Sequence, residues 1–324
     1  MTMKNTVFVN GIVKSKEKYL IGKDRFFQMA DAPDATEAFK LLTETGFGGE
    51  GFSDAAPSDY DKLIDAEYAA LIGFLKEYAP DENFVKCVAA RNDFFNAECA
   101  VRQKYLGACG AFVADGYFAR EEFLKAANGE KNGLYQELNK VVKDACSLFE
   151  NGKATGIAVS MLFFKAYYAF MLKNVKGAVW KENVVFEIDT KNICSAMRSL
   201  DVKAAENQYI DGGKVSKKTL DLIVIGDERR ALDKLIATPY FELVKLGFSE
   251  RATGALVEFE KKADSFAMER LKEKRFETEG FVPLLVFVGY KLSEMKNVRL
   301  VMALKNCGAD KESIIKRLVD CYAG

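Results

Sequence analysis

Asp93, Asn96 and Arg102 lie in the stretch DFFNAECAVR, and Asp189, Asn192 and Arg198 lie in DTKNICSAMR. Both read Asp-x-x-Asn with an Arg six residues after the Asn. A third, looser set stands in LSEMKNVRLVMALK as Glu294, Asn297 and Arg299. A carboxylate beside an amide and a guanidinium has the makings of acid–base chemistry or anion binding. Catalysis by carboxylates, however, needs two acids converging on one substrate, and nothing in the sequence brings a second acid to any of these sets. On a helix, positions i and i+3 share a face, while six residues from Asn96 to Arg102 offset those two side chains by about 120°. The other reading is architectural: the Asp caps a helix, and the Asn ties down a neighbouring loop through backbone hydrogen bonds. Repetition favours it, because identical residues in several copies serve a shared framework more naturally than a single reaction. For Glu294 and Arg299, an interdomain ion pair and a partner contact are both open.

Composition narrows the chemistry further. The 324 residues contain no histidine, which excludes Ser-His-Asp and Cys-His catalysis and any His-containing zinc site. Lys and Arg total 47 and so do Asp and Glu, so no global basic field draws the chain to nucleic acid. The seven cysteines form no CxxC pair and read as free, mostly buried thiols of a reducing compartment. Asp211-Gly212-Gly213-Lys214 lacks the spacing of a phosphate loop and reads as a turn. No catalytic, cofactor-binding or metal-binding residue is expected. The N-terminus has no apolar run suited to a signal peptide. The apolar stretches Gly156 to Leu172 and Gly280 to Leu292 are short for membrane spans and read as buried helices.

The elements that carry these residues read as helices. Tyr60, Leu63, Ile64, Leu71, Phe74 and Tyr78 form one apolar stripe, which stops before Pro80. Leu256, Phe259, Ala263, Phe266 and Leu271 form another within Ser249 to Phe276. The five prolines fall where helices could begin or end. ENVVFEID is the best strand candidate and equally the start of a buried helix. The expected class is all-α.

An ungapped shift of 96 residues (189 − 93) superposes more than the opening motif. Asp93, Asn96, Ala100, Arg102, Asp115, Gly116 and Leu124 fall on Asp189, Asn192, Ala196, Arg198, Asp211, Gly212 and Leu220. With Ala108 on Ala204 that is eight identities in 32 positions, where composition alone gives about two. AFKLLTETGF likewise matches ALDKLIATPYF: Ala38, Leu42, Thr45 and Phe47 fall on Ala231, Leu235, Thr238 and Tyr240. Its middle copy belongs near Tyr135. After Glu294 and Asn297, Gly308 precedes a helical run to Leu318 as Gly213 precedes Leu220. Asn10 and Lys16 hint at a degenerate further copy. The period suggests three similar helical domains, bounded at 1–110, 111–210 and 211–324.

FEIDTKNICSAMRSL, YIDGGKVSKKTLDLIV, ALDKLIATPYFELV and GFVPLLVFVGYKLSEMKNVRLVMALKNCGADKESIIKRL, in that order, resemble the C-type subunit of the bacterial and archaeal V/A-type ATPases, counterpart of the d-type subunit of the eukaryotic vacuolar ATPase. The resemblance runs from near Thr6 to Leu318 and is weakest over Asn128 to Gly156. It implies three similar all-α bundles around a pseudo-threefold axis, shaped as a funnel. It implies a non-catalytic rotor adaptor at the cytoplasmic face of the membrane. Its partners would be the D- and F-type subunits of the central shaft and the ring of proteolipid subunits. No cofactor, nucleic acid or small-molecule substrate is implied. The faces bearing Asp93, Asn96, Arg102, Asp189, Asn192, Arg198, Glu294, Asn297 and Arg299 would then be candidates for partner contact. Lys14-Ser-Lys-Glu-Lys18 and Glu260-Lys-Lys262 read as solvated faces or as contacts to anionic headgroups. A soluble all-α scaffold of another assembly is the alternative, and a carboxylate enzyme stands third.

Overall fold

The structure is a computed structural model that describes residues 6–52, 54–107, 111–277 and 280–322. Among them are sixteen α-helices and no strand. They run α1 (Thr6–Glu17), α2 (Lys23–Asp31), α3 (Ala35–Thr43), α4 (Tyr60–Tyr78), α5 (Glu82–Leu106), α6 (Arg120–Ala127), α7 (Gln136–Glu150), α8 (Gly156–Asn174), α9 (Ala178–Arg198), α10 (Val202–Glu206), α11 (Lys217–Val224), α12 (Glu228–Leu235), α13 (Phe241–Glu250), α14 (Val257–Glu273), α15 (Val282–Asn306) and α16 (Lys311–Arg317). The chain divides into two compact units. One comprises Met1–Leu71, Asp189–Tyr209 and Gly213–Gly324, the other Ile72–Ile188 and Ile210–Gly212.

Local sequence sets the helix ends. Asp81 caps α5 by accepting from the Phe84 N–H at 2.8 Å, and Gly107 stops that helix in the left-handed conformation, φ 71°. Thr155, Ser216, Asp227 and Asp310 cap α8, α11, α12 and α16 in the same way. One reading left open is resolved here and one expectation changes. ENVVFEID, open between a strand and the start of a buried helix, lies inside α9. Its Val184, Phe186 and Ile188 are all buried; their two-residue spacing imitates a strand because this part of the helix is buried on more than one side. The stripe from Ser249 to Phe276 is broken: Gly254 (φ 68°) and Leu256 (φ 47°) interrupt the chain before α14 begins at Val257.

In the smaller unit, α6, α7 and α8 pack on α5 around Phe94, Phe123, Leu138, Phe163 and Phe170. Aromatic geometry tightens this core: Tyr135 stacks on Phe170 with centroids 4.7 Å apart, and Phe94 meets Tyr167 edge-on at 6.0 Å. Each fully buried Phe contributes roughly 2–3 kcal/mol of transfer free energy. α8 is long and apolar enough to cross a membrane; it buries Val159, Phe163, Phe170 and Met171 against its neighbours. Trp180 packs on Phe84 at 4.9 Å. In the larger unit, α15 lies among α1, α2, α3, α14 and α16. Gly289 lets α14 approach, since a Cβ there would sit 2.5 Å from the Leu271 side chain. The described cysteines are free, and all but Cys307 are buried.

Candidate functional site

The repeated residues build three fastenings, each on the middle of a long helix. On α5, Asp93 and Asn96 are fully buried. Asp93 Oδ1 accepts the backbone N–H groups of Tyr117 (3.0 Å) and Phe118 (3.4 Å). Asn96 clasps one residue at both ends: its Nδ2 donates to the Val113 carbonyl at 3.2 Å, and its Oδ1 accepts the Val113 N–H at 3.0 Å. The segment 113–118 is thereby pinned to α5 just before α6 starts. Gly116 is required there, because a Cβ would lie 2.3 Å from Asp93 Oδ1.

On α9, Asp189 accepts the N–H of Lys214 (3.0 Å) and Val215 (2.8 Å), just ahead of α11. The Tyr240 hydroxyl adds a third donor at 2.5 Å. The receiving N–H groups lie 24 and 25 residues after Asp93 but 25 and 26 after Asp189, so the loop carries one extra residue. Gly212 accordingly does not take the place of Gly116. It adopts φ 97° and faces Leu172, whose Cδ1 would be 2.2 Å from an added Cβ.

On α15, Glu294 Oε2 accepts the Ile21 N–H at 2.6 Å, and Asn297 clasps Val319, donating to its carbonyl at 2.9 Å and accepting its N–H at 3.1 Å. The tasks of Val113 and Tyr117 thus fall here to two segments from opposite ends of the described chain. The helix that follows the fastened segment is α2. The run from Gly308 to Leu318, expected as the counterpart of Leu220's helix, instead forms α16 ahead of that segment. It takes the place that α10 holds before α11. The acids are also not caps of their own helices, since each sits mid-helix.

The recurring threonine is structural too. Thr45 and Thr238 each donate to a carbonyl three residues back, Leu42 at 2.6 Å and Leu235 at 2.7 Å. Each also accepts the N–H two residues on, from Phe47 and Tyr240, at 3.3 Å. Tyr240 then reaches Asp189, whereas the Phe47 ring lies 5.5 Å from the Lys291 ammonium, which bonds Glu294 at 2.5 Å and Glu67 at 2.8 Å. A hydroxyl in one copy and an ammonium in the other therefore satisfy the acid. In the α5 copy neither is present. Asp93 Oδ2 and the Tyr135 hydroxyl are both buried without a hydrogen-bond partner.

These environments set the acids apart. Burial pushes the Asp93 carboxyl up to about 8, against the pull of the Phe118 and Tyr117 N–H groups. Burial also raises Glu294, opposed by Lys291. For Lys291, burial works downward, but Glu294 and Glu67 outweigh it and hold the ammonium charged.

The arginines behave differently from the acids. Arg102 pairs with Glu98 (2.8 Å) and donates to the Gly156 carbonyl and Ser160 hydroxyl, both at 2.9 Å. Arg198 pairs with Glu260 at 3.0 Å and Arg299 with Asp61 at 3.0 Å, and both are about half exposed. Asp93, Asn96, Asp189, Asn192, Glu294 and Asn297 are buried and present no surface.

Sequence reasoning missed a further recurrence. Lys104 donates to the Ala127 carbonyl at the end of α6 (2.8 Å), and Lys305 to the Ala32 carbonyl at the end of α2 (2.6 Å). A cation there completes the unsatisfied carbonyls and the negative end of the helix dipole. Both lysines stand eight residues after the Asn, at Asn96 and Asn297, which was the available signal. Eight after Asn192 comes Leu200, 95% exposed. Arg251 does the work instead, donating to the carbonyls of Ile223, Val224 and Ser199.

The family described as ATP synthase (C/AC39) subunit matches residues 9–317. The chain is 22% identical to the C-type subunit of the V-type sodium ATPase of Enterococcus hirae, over 97% of this chain and 98% of that protein. It is 22% identical to the C-type subunit of the V-type ATP synthase of Thermus thermophilus over 72% of this chain and 75% of the relative. To the C-type subunit of the A-type ATP synthase of Pyrococcus furiosus it is 26% identical over 46% and 43%.

Proposed function

The chain belongs to the ATP synthase (C/AC39) subunit family, and from that premise we propose that it is a non-catalytic adaptor on the central rotor of a V/A-type rotary ATPase. In this reading it joins the D- and F-type shaft subunits to the membrane ring of proteolipid subunits and carries torque between them. It is held at the cytoplasmic face of the membrane by those contacts. Three similar bundles, at 1–110, 111–210 and 211–324, would surround a pseudo-threefold axis as a funnel. The observation that carries the reading is the family match across nearly the whole chain. The chemistry of the fastenings is compatible with it: every repeated acid accepts backbone N–H groups, which ties loops to the long helices. Stiffness is what a torque-bearing part requires. Of the nine candidate residues, Arg198 and Arg299 are the exposed ones best able to meet a partner, with Arg102 half-buried beside its own loop.

The test is co-purification. A tagged chain expressed in its own cells and recovered from membranes in mild detergent should bring both shaft and proteolipid subunits with it. Recovery with neither would end the rotor reading, and recovery with a different assembly would favour the scaffold.

A further inference from the structure

The three repeated acids differ in the side chain that reaches them. The Tyr240 hydroxyl donates to Asp189, and the Lys291 ammonium donates to Glu294. Asp93 receives two backbone N–H groups on Oδ1, while its Oδ2 is buried without a partner. Yet the α5 copy has a tyrosine at the matching point of the chain. Tyr240 is the residue just before α13, and Tyr135 the residue just before α7. α13 packs between α12 and α14, and α7 packs on α6 and α8. The Tyr135 hydroxyl is also buried without a partner.

The acid's own neighbours hold this ring. The Tyr135 centroid lies 6.5 Å from that of Phe94, the residue after Asp93. It lies 5.4 Å from that of Phe118, whose N–H Asp93 accepts. The ring stacks on Phe170 with 14° between the planes, so it can slide in its own plane and stay in contact. The other groups around the acid are engaged or unsuited. The Tyr117 hydroxyl donates to Glu82. Asp115 is itself an acid and is exposed. Lys76 of α4 is exposed, with its ammonium 5.7 Å from the Tyr117 ring. Around Tyr135, Glu137 of α7 pairs with Lys173 at 2.6 Å, burial pushes the Cys87 thiol of α5 up to about 12, and Tyr167 of α8 meets Phe94 edge-on.

A protonated Asp93 needs no donor at Oδ2. Once ionised, it places a buried charge there with no hydrogen bond, which is unfavourable. We propose that Asp93 and Tyr135 form a proton-controlled latch: when Asp93 loses its proton to solvent, the Tyr135 hydroxyl donates to Oδ2 and ties the start of α7 to the middle of α5. Tyr240 on Asp189 is the closed form of the same device. Tyr135 keeps its own proton throughout, because burial and the Asp93 charge both push its ionisation upward. Burial raises the Asp93 carboxyl to about 8, so the latch closes as pH rises through that region. The latch is independent of the rotor reading.

The experiment uses the full chain with isotope-labelled aspartate carboxyl and tyrosine ring carbons, followed by NMR from about pH 5 to about 10. Asp93→Asn and Tyr135→Phe assign the two signals. In the wild type, the Asp93 and Tyr135 signals are expected to move together with one midpoint. A hydrogen bond to the ionised form lowers an acid's pKa, so Tyr135→Phe should raise the Asp93 midpoint by about one unit, a tenfold drop in its dissociation constant. That variant keeps the ring and should leave the circular dichroism spectrum unchanged. In Asp93→Asn the Tyr135 signal should stay fixed across the range. The proposal is overturned if Asp93 titrates alike with and without the hydroxyl, or if Asp93 is already ionised at about pH 5. It is equally overturned if the Tyr135 signal holds still while Asp93 titrates, or moves as far in Asp93→Asn as in the wild type.

Discussion

Asp93 is a carboxyl with one oxygen satisfied and the other bare. Tyr117 and Phe118 donate to Oδ1, while Oδ2 has no partner. Asp115, Tyr117 and Tyr135 face it, and the Lys76 charge opposes the effect of burial. Burial raises its pKa to about 8, against about 3.9 for an unfolded Asp. The folded chain therefore holds a proton between those values that the unfolded chain has released. Its contribution to stability is full below about pH 4 and is lost as pH rises through about 8, at up to about 1.4 kcal/mol per pH unit. Asp93→Asn mimics the protonated acid and should remove that slope. Urea midpoints of both proteins across about pH 5 to 9 should diverge, with the variant gaining on the wild type as pH rises. Parallel profiles would show that Asp93 is ionised throughout in the folded protein. In the α9 copy Tyr240 donates to Asp189 Oδ2, and that hydroxyl is placed by the turn built at Thr238.

At the scale of elements, each fastened helix ends under a cation, and the three copies reach this in two ways. Lys104 and Lys305 come from the long helix itself, whereas Arg251 comes from beyond α13. Arg251→Met should strip the Val224 and Ser199 carbonyls of their donor, leave Ile223 with the Gly226 N–H, and cost about 2–3 kcal/mol. Leu200→Lys alone should be near neutral, since Leu200 is 95% exposed. In the Arg251→Met background it should recover about 1 kcal/mol by restoring the lysine found eight residues after Asn96 and Asn297. Thermal melts of the four proteins decide this; strictly additive effects would mean that Leu200 does not occupy the capping position. Much at this scale was legible in the sequence. The acid-x-x-Asn spacing places two side chains on one helix face by local geometry, and Thr45 and Thr238 make the same turn because the bonds span only two or three residues. The Lys at Asn+8 was written there too, but one copy in three breaks it. What was not legible is which short helix each long helix holds. Asn297 and Glu294 take partners from distant stretches, and no local pattern says that α2, not α16, completes the α15 copy.

At the scale of the whole molecule, that exchange of partners makes a seam. In the α5 copy, Val113 and Tyr117 are four residues apart on one continuous segment. In the α15 copy, Val319 and Ile21 do the same two jobs without a peptide link between them. The seam is closed by side chains: Ser293 donates to the Asp320 carbonyl at 2.6 Å, Lys272 pairs with Asp320 at 3.0 Å, and Lys311 of α16 pairs with Asp31 of α2 at 2.8 Å. A Cβ on Gly22 would lie 3.8 Å from the Tyr322 carbonyl, so the two segments run close together. If they open as one unit, loosening either must loosen both. Asn297→Ala touches only Val319, leaving its buried N–H and carbonyl unpaired at a cost of about 2–3 kcal/mol. Hydrogen exchange should nevertheless speed up in both Leu318–Tyr322 and Leu20–Phe26, while the segment at Val113 keeps its wild-type protection. Asn96→Ala should do the converse, releasing 113–118 and sparing the seam. Faster exchange confined to Leu318–Tyr322 would show that the two ends are held separately. Joint release would mark the seam as a place where two distant stretches of the chain are held to each other by hydrogen bonds and ion pairs rather than by covalent continuity.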